Sequence, residues 1–328
     1  MKSGTVVGMK AAVVHETDGQ RVLTYGEFPD PDVGEQDVLI DVAAISIEGG
    51  DLGVLGGAPG DWLPFVPGLS AAGTVAAVGS GVTRYTPGDR VATFNYSGSH
   101  AGRRVVPQEY VYPVPDGVDL DIASTVPVAF GTAGEALFTA ADVEPGDTVL
   151  VRGATGGVGL AAVEIAHDAE ATVIATASSQ EAAEQLRELG ADHVILYRDE
   201  DVKQQILELT GGTGVDLLLD LVGGREFPDL LSAMAVKGRM VGIGASSGTP
   251  AQLTLQELGA RQLTATGVFY GGQMHTGRAH SMIADHFAAL AERTFSMPID
   301  RVFPLSVAVE AHSYAVTEHP FGRVLLRP

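Results

Sequence analysis

Asp147-Thr-Val-Leu-Val-Arg-Gly153-Ala154-Thr155-Gly156-Gly157-Val158-Gly159 runs into an alanine-rich stretch ending at Glu170, and then into Ala171-Thr-Val-Ile-Ala-Thr-Ala-Ser178. This order reads as an apolar strand, a tight glycine turn, a helix and a second apolar strand. Bare backbone at the turn lets a pyrophosphate come within contact distance, where a side chain would block it. Amides at the helix start supply donors and the positive end of the dipole. Gly156 and Gly159 fill the second and third places of the G-x-G-x-x-G pattern, and Ala154 stands at the first. Inside a strand–turn–helix–strand unit the pattern predicts a bound dinucleotide. The plainer alternative is a tight turn with no ligand.

Working outward, the 328 residues exceed one ordinary core and predict two domains. The 20 basic and 41 acidic residues give a net charge of −21. That field disfavours nucleic acid and anionic lipid, and solubility is its simplest purpose. It also opposes an anionic cofactor, so local donors must outweigh it. They can, because a screened field is weak beyond about 8 Å. No run approaches eighteen apolar residues, and residues 1–10 have no apolar signal core, so a cytoplasmic location without membrane contact is expected. The chain has no cysteine, which excludes a thiolate zinc site.

Residues 10–115 read as short strands separated by turn clusters, clearest at 10–15, 38–42, 73–78 and 90–94. Residues 121–142 switch period, and Val126, Phe130, Ala133, Leu137 and Phe138 suit a helix pair leading into the second domain. Strands and helices then alternate: a strand at 194–197, a helix at 202–209, a strand at 215–220, a helix at 227–234 and a strand at 238–244. This alternation demands a doubly wound parallel sheet, so the fold class is α/β with a separate β domain. A helix at 279–293, another ending near 318 and a strand at 322–326 close the chain. The expected division is 1–125, 126–265 and a return to the first domain over 266–328.

With these residues in view, the chain resembles the medium-chain dehydrogenase/reductase superfamily, in its zinc-free quinone oxidoreductase-like branch. The marks are Met9-Lys-Ala-Ala-Val-Val14, Pro64-Phe-Val-Pro-Gly68, Gly73-Thr-Val-Ala-Ala-Val-Gly79, Gly88-Asp-Arg-Val91, Gly131-Thr-Ala133, the stretch 149–159, Leu189-Gly-Ala-Asp-His193, Asp220-Leu-Val-Gly-Gly224 and Gly322-Arg-Val-Leu325. The resemblance starts at Met9, which makes residues 1–8 an upstream extension. It implies a GroES-like β domain, a Rossmann cofactor domain, an active-site cleft between them, a nicotinamide cofactor and a homodimer.

In the zinc-dependent relatives a Cys and a Gly-His-Glu signature hold the metal. Gapless matching puts Glu48, Leu69 and Ser70 at those positions. Leucine cannot ligate, and one carboxylate does not make a site that needs three protein ligands. The plain reading of Glu48 is a partly solvated loop carboxylate; the functional one is a polar group that orients substrate or relays a proton. Without a metal to stabilise an alkoxide, an unactivated alcohol is a poor hydride donor. A quinone or an α,β-unsaturated carbonyl needs less help. Positioning can supply as much as ~7–11 kcal/mol, and a donor to the carbonyl oxygen on the order of 3 kcal/mol.

The pyrophosphate residues are Ala154, Gly156, Gly157, Val158 and Gly159. The resemblance adds Thr132 near the nicotinamide, Tyr197 beside the adenosine phosphate and Arg323 near the C-terminus. Val222, with Gly223 and Gly224, and Gly242 to Ala245 lie at carboxyl ends of strands, where ligands bind in open α/β sheets. An NAD site would carry an acid at the end of the second strand. Ser178 and Ser179 stand there instead and leave room for a 2′-phosphate, so NADPH is expected over NADH. The family lysine four residues on is Ala182 here.

The proton donor is less defined. The family's tyrosine in the loop after Asp51 is missing, since residues 52–57 are aliphatic or glycine. Tyr96 and His100 follow the Gly-Asp-Arg-Val strand in a loop expected to face the cleft; for each tyrosine packing is an equal reading to catalysis, and for His100 an exposed or structural role is the plainer one. Tyr270 belongs to a segment that borders the site in relatives. His275 and His280, five apart, read as surface residues rather than a ligand pair, and Trp62 as a loop packing residue. An NADPH-dependent reductase of quinones or enones is the first reading, with a small-molecule electron acceptor as partner. A zinc-free dehydrogenase of another carbonyl substrate and a crystallin-like NADPH binder with little turnover are the alternatives.

Overall fold

The computed structural model describes residues 8–53 and 63–328. The possible upstream extension, the glycine-rich part of the 52–57 loop and Trp62 therefore lie largely outside the described residues. The chain divides into two compact units, Met1–Val128 with Gly271–Pro328, and Ala129–Tyr270.

The second unit carries a six-stranded parallel sheet. Its strands lie in the order His193–Leu196, Thr172–Ala177, Thr148–Arg152, Val215–Asp220, Met234–Gly242 and Thr264–Gly267. Numbered along the chain this is 3-2-1-4-5-6, the doubly wound order, whose switch point lies beside the first strand. The reason is visible in the residues. Leu150, Ile174 and Leu218 are fully buried and pack in one core with Phe227, Leu230 and Met240. Strands buried on both faces are rich in apolar residues, and Val215–Asp220 carries Val215 and Leu217 to Leu219 buried, with Asp220 buried at its end. Helix Gly157–Asp168 buries nine of its residues, mostly alanine and small aliphatics, which lets it lie close on the sheet.

Two expected elements differ in extent. The helix expected over 227–234 stops at Leu231, and Met234 already begins the next strand. Its apolar residues suit either state, and burial in the parallel sheet decides for the strand. The helical stretch at 121–142 resolves into helices Leu120–Ala123 and Val126–Gly134, the latter continuing as a π-helical turn over Glu135–Ala140.

The first unit is a mostly antiparallel β structure. Its seven-stranded sheet runs Ile299–Pro304, Arg323–Arg327, Asp37–Ser46, Ser70–Val78, Arg90–Phe94 and Val111–Pro113, with Arg103–Pro107 paired to Asp37–Ser46 off that path. A hairpin, Met9–Thr17 with Gln20–Phe28, turns at Asp18 and Gly19, both at positive φ. Asp-Gly suits that two-residue turn. The returning chain is fastened by side chains: Tyr112 Oη donates to Met274 O at 2.7 Å, and His280 Nε2 to Glu109 O at 2.7 Å. His280 is thus a half-buried tie, its ring 4.7 Å from that of Tyr112, and not the surface residue expected.

Candidate active site

The glycine turn leaves strand Thr148–Arg152 and enters helix Gly157–Asp168 through Gly156, which has extended backbone and provides no side-chain cap. The first turn of that helix holds no acid. Its amides are therefore not claimed by a capping carboxylate or hydroxyl, as those of the helices capped by Asp119, Ser179, Asp201, Thr254 and Thr276 are. A methyl group added at Gly156 would meet no atom of the described residues within 4 Å. One added at Gly159 would run into Gly153 O and would stand 2.6 Å from Ala154 Cα. The two glycines thus serve different ends. Gly156 leaves open space before the helix mouth, and Gly159 lets the helix press against the turn. Gly153 N–H donates to Thr176 Oγ1 at 3.2 Å, tying the turn to the second strand.

That second strand ends at Ser178 and Ser179. Ser179 caps helix Gln180–Glu188, its Oγ accepting from Ala182 N at 3.3 Å. Tyr197 N–H donates to Ala177 O at 3.2 Å, so the half-exposed Tyr197 leaves the adjacent strand beside the serines. Across the switch point, buried Asp220 organises the loop carrying Val222. Its carboxylate accepts from Val222 N at 3.2 Å and Gly223 N at 3.0 Å, and pairs with Arg152 at 3.0 Å. Gly242 and Gly244 follow at the end of the fifth strand, with Gly244 N donating to Asp220 O. Thr132 sits on helix Val126–Gly134, and the ring of Tyr270 packs where a side chain at Gly131 would lie.

The first unit holds a buried ionic cluster. Glu48 is 2% exposed and Asp51 3%. Glu48 Oε2 pairs with Arg323 Nη2 at 2.8 Å, and Arg323 also donates to Ser46 Oγ at 3.0 Å and to Ile47 O. Among the described residues, Glu48 Oε1 is buried without a hydrogen-bond partner. Glu48 N–H donates to Asp51 Oδ2 at 2.8 Å. Burial pushes the Glu48 carboxyl above its usual range, against the pull of Arg323. Burial also pushes Asp51 up to about 7, while hydrogen bonds from the Glu48 and Leu69 backbone pull it down. Arg104, 2% exposed, donates to Leu69 O, Thr93 Oγ1 and Ser97 O, and burial lowers it to about 9.

Residues 34–116 match the family described as alcohol dehydrogenase GroES-like domain, and residues 157–285 the family described as zinc-binding dehydrogenase. A quinone oxidoreductase of Pseudomonas aeruginosa is 32% identical over 314 residues, covering 94% of this chain and 97% of the relative. A 2-haloacrylate reductase of Burkholderia sp. is 31% identical over 330 residues, covering 97% and 98%. Among solved structures, Escherichia coli quinone oxidoreductase complexed with NADPH superposes with a TM-score of 0.89 at 27% identity, covering 97% of this chain and all of that one. The chain belongs to the medium-chain dehydrogenase/reductase superfamily, in its quinone oxidoreductase-like branch.

For a member of this superfamily, the first question is whether the residues present fit a catalytic zinc. They do not make the donor set. Leu69 and Ser70 stand where His and Glu would, and the Glu48 carboxylate is already paired with a guanidinium. Among the described residues no group of three His, Cys, Asp or Glu side chains could hold a metal.

Two readings of individual side chains need correction. Glu48 is not a partly solvated loop carboxylate but a buried ion-pair partner. Arg323, which the resemblance adds to the cofactor-site residues, is held by Glu48 and Ser46 inside the β unit, where its charge offsets the buried carboxylate. His100, expected in a cleft-facing loop, is fully buried. Its Nε2 lies 2.8 Å from His312 Nε2 and its Nδ1 3.1 Å from Ser99 Oγ. Burial, the neighbouring imidazole and Arg104 hold His100 well below the usual histidine range, so it stays neutral. Tyr96 is half exposed, its ring 5.2 Å from Phe94 and edge-on to it, whereas Tyr270 is 3% exposed. Asp51, Arg104 and His312 were not singled out by sequence. Asp51 carried a faint signal, an acid three residues after Glu48 at the start of a short helix.

Proposed function

We propose that this chain is an NADPH-dependent reductase that delivers hydride to a quinone or an α,β-unsaturated carbonyl without a metal ion. The observation that carries the reading is the vacant side-chain position at Gly156 before an uncapped helix mouth. Bound NADPH would supply the hydride. Ala154, Gly156, Gly157, Val158 and Gly159 would hold its pyrophosphate through main-chain amides and the helix dipole. Ser178, Ser179 and Tyr197 would surround the adenosine ribose. Val222, Gly242 and Gly244 would line the strand ends, with Thr132 toward the nicotinamide.

The quinone oxidoreductase and 2-haloacrylate reductase relatives support an electron-poor acceptor. The absence of a zinc donor set argues against oxidation of an unactivated alcohol. Of the groups considered as proton donors, Tyr96 has the exposure the task requires. Tyr270 has its ring against Gly131, the residue before Thr132. Glu48 supplies charge balance to Arg323 rather than a proton to substrate. We further take the enzyme to be a cytoplasmic homodimer that binds neither nucleic acid nor membrane. Among the described residues no helix is long and apolar enough to cross one.

A panel of quinones and enones, followed by NADPH absorbance with and without chelator, tests the reading. Turnover of at least one class, unchanged by chelator, is expected. NADPH binding without turnover of any acceptor would favour the crystallin-like alternative, and chelator inactivation reversed by zinc would refute the metal-free reading.

A further inference from the structure

The first and fourth strands of the parallel sheet, Thr148–Arg152 and Val215–Asp220, are neighbours, and their last residues stand opposite each other in register. At this switch point the two end residues are a cation and an anion. Arg152 Nη1 donates to Asp220 Oδ1 at 3.0 Å and also to Gly223 O. One guanidinium nitrogen thus holds both the end of the fourth strand and the loop beyond it. The Asp220 side chain is 1% exposed, and its two oxygens also take the amides of Val222 and Gly223. Glu226 Oε2 lies 3.6 Å from Arg152 Nη2, but it is exposed and makes the weaker pair.

Three connections at this end of the sheet lean on the pair. Arg152 precedes Gly153, where an added methyl group would stand 3.1 Å from Val222 Cγ2 and 3.3 Å from Leu221 Cβ. The glycine turn is therefore in contact with the loop after the fourth strand. That loop is bonded in turn to the one after the fifth strand. Ser246 N donates to Leu221 O and Ser247 N to Val222 O, each at 3.1 Å, and Gly224 N donates to Thr249 O at 2.8 Å.

We propose that Arg152 is a positioning residue: by tying the first strand to Asp220 and Gly223 O, it sets the loops that receive the nicotinamide half of the cofactor. The inference rests on the cofactor reading above. In a doubly wound sheet the dinucleotide lies across the switch point, and the residue that reads the adenosine ribose stands at the end of the second strand. The loops after the fourth and fifth strands lie on the other side of the first strand and serve the other half. Arg152 acts on that half through the 221–224 loop. Lysine cannot replace it fully, because its ammonium ends one atom short of the Nη1 position.

The test compares a whole cofactor with its adenosine half. NADPH and adenosine 2′,5′-bisphosphate are titrated by calorimetry against wild type, Arg152→Met, Arg152→Lys, Arg152→Met with Asp220→Asn, and the control Glu226→Gln, with thermal melts alongside. Arg152→Met should weaken NADPH about tenfold and leave the bisphosphate within about twofold. Arg152→Lys should recover part of that loss, and Glu226→Gln should change neither ligand. The double variant no longer strands a buried carboxylate, so it should melt closer to wild type than Arg152→Met while NADPH stays weak. If Arg152→Met fails to fold, the double variant and Arg152→Lys carry the comparison. Equal losses for both ligands, no loss for either, or NADPH affinity restored with stability in the double variant would overturn the inference and leave the cofactor reading standing. A wild type that binds neither ligand would overturn both.

Discussion

The glycine turn at 153–159 and the ionic cluster around Glu48 handle charge in opposite ways. The turn offers positive potential through backbone amides and keeps side chains away, so a visiting anion is met by groups already in place. The cluster sets two carboxylates, Glu48 and Asp51, among two guanidiniums, Arg323 and Arg104, all at or below 8% exposure. One region stays open for a ligand; the other pairs most of its charge internally, leaving Glu48 Oε1 and Arg104 Nε unpartnered among the described residues. The lesson is that buried ionic groups and an open anion-binding turn are different uses of charge. Buried charge here joins distant parts of the chain, with Arg323 reaching Ser46 across 277 positions.

The sharpest way to break this contrast is at the two glycines of the turn. Gly156→Val adds a side chain where no atom of the described residues stands within 4 Å, so the fold should melt within a few degrees of wild type. NADPH affinity should fall about 100-fold or more, the loss of roughly 3 kcal/mol of phosphate contacts. Gly159→Val should do the reverse, destabilising by about 1–3 kcal/mol through overpacking against Gly153 and Ala154. Fluorescence titration and thermal melts separate the two. Equal losses of stability in both variants would show that the turn is a packing device only.

The cluster can be broken from the other side. Arg323→Met leaves the Glu48 carboxylate buried beside a neutral side chain and should cost about 3–5 kcal/mol. Adding Glu48→Gln removes the stranded charge and should restore more than about 1 kcal/mol of that loss. Urea denaturation of both single variants and the double gives the coupling. Strict additivity would mean that the pair contributes nothing as a pair.

The same contrast explains what was legible in the sequence. Strand Val215–Asp220 and helix Val202–Leu209 read correctly because burial on one or both faces writes itself into consecutive residues. The glycine turn was legible for the same reason, since its chemistry lies in adjacent backbone. The Asp18-Gly19 turn carried a hairpin signal, but strand Gln20–Phe28 was too mixed in polarity to stand out. The roles of Glu48, Arg323, His100 and His312 were hidden because each depends on a partner far along the chain. A motif match could place Arg323 near a C-terminal glycine, but only the pairing of Leu325 with Ser46 brings it to Glu48.

Titration gives the cluster a further signature. Asp51, raised to about 7 by burial, has a folded pKa above the ordinary 3.8. Its contribution to stability is therefore complete below that value and is lost as pH rises through about 7. His312, lowered to about 4 by burial, works in the opposite sense: its contribution is present above the ordinary 6.5 and is lost as pH falls toward 4. His100 and His286 share that direction. Asp51→Asn should therefore lessen the decline in urea midpoint on the alkaline side. His312→Gln, which can still donate or accept toward His100, should lessen the decline on the acid side. Parallel shifts with no change of slope would show that neither group titrates with folding.

The smallest effect separates helix capping from cofactor recognition at a single residue. Ser179 Oγ accepts from Ala182 N, so its lone pair serves the helix while its proton remains available to a ligand. Ser179→Ala loses both and should cost about 1 kcal/mol of stability along with a few-fold loss of NADPH affinity. Ser179→Asp keeps a good cap, so its melting temperature should stay near wild type, but it sets a carboxylate beside the expected 2′-phosphate. NADPH should then weaken well beyond the alanine variant while NADH holds or improves, because a carboxylate at this strand end is what a ribose 2′-hydroxyl prefers. If the aspartate variant binds both nucleotides as wild type does, the ribose lies elsewhere, and the part of the glycine-turn reading that extends to the second strand fails with it.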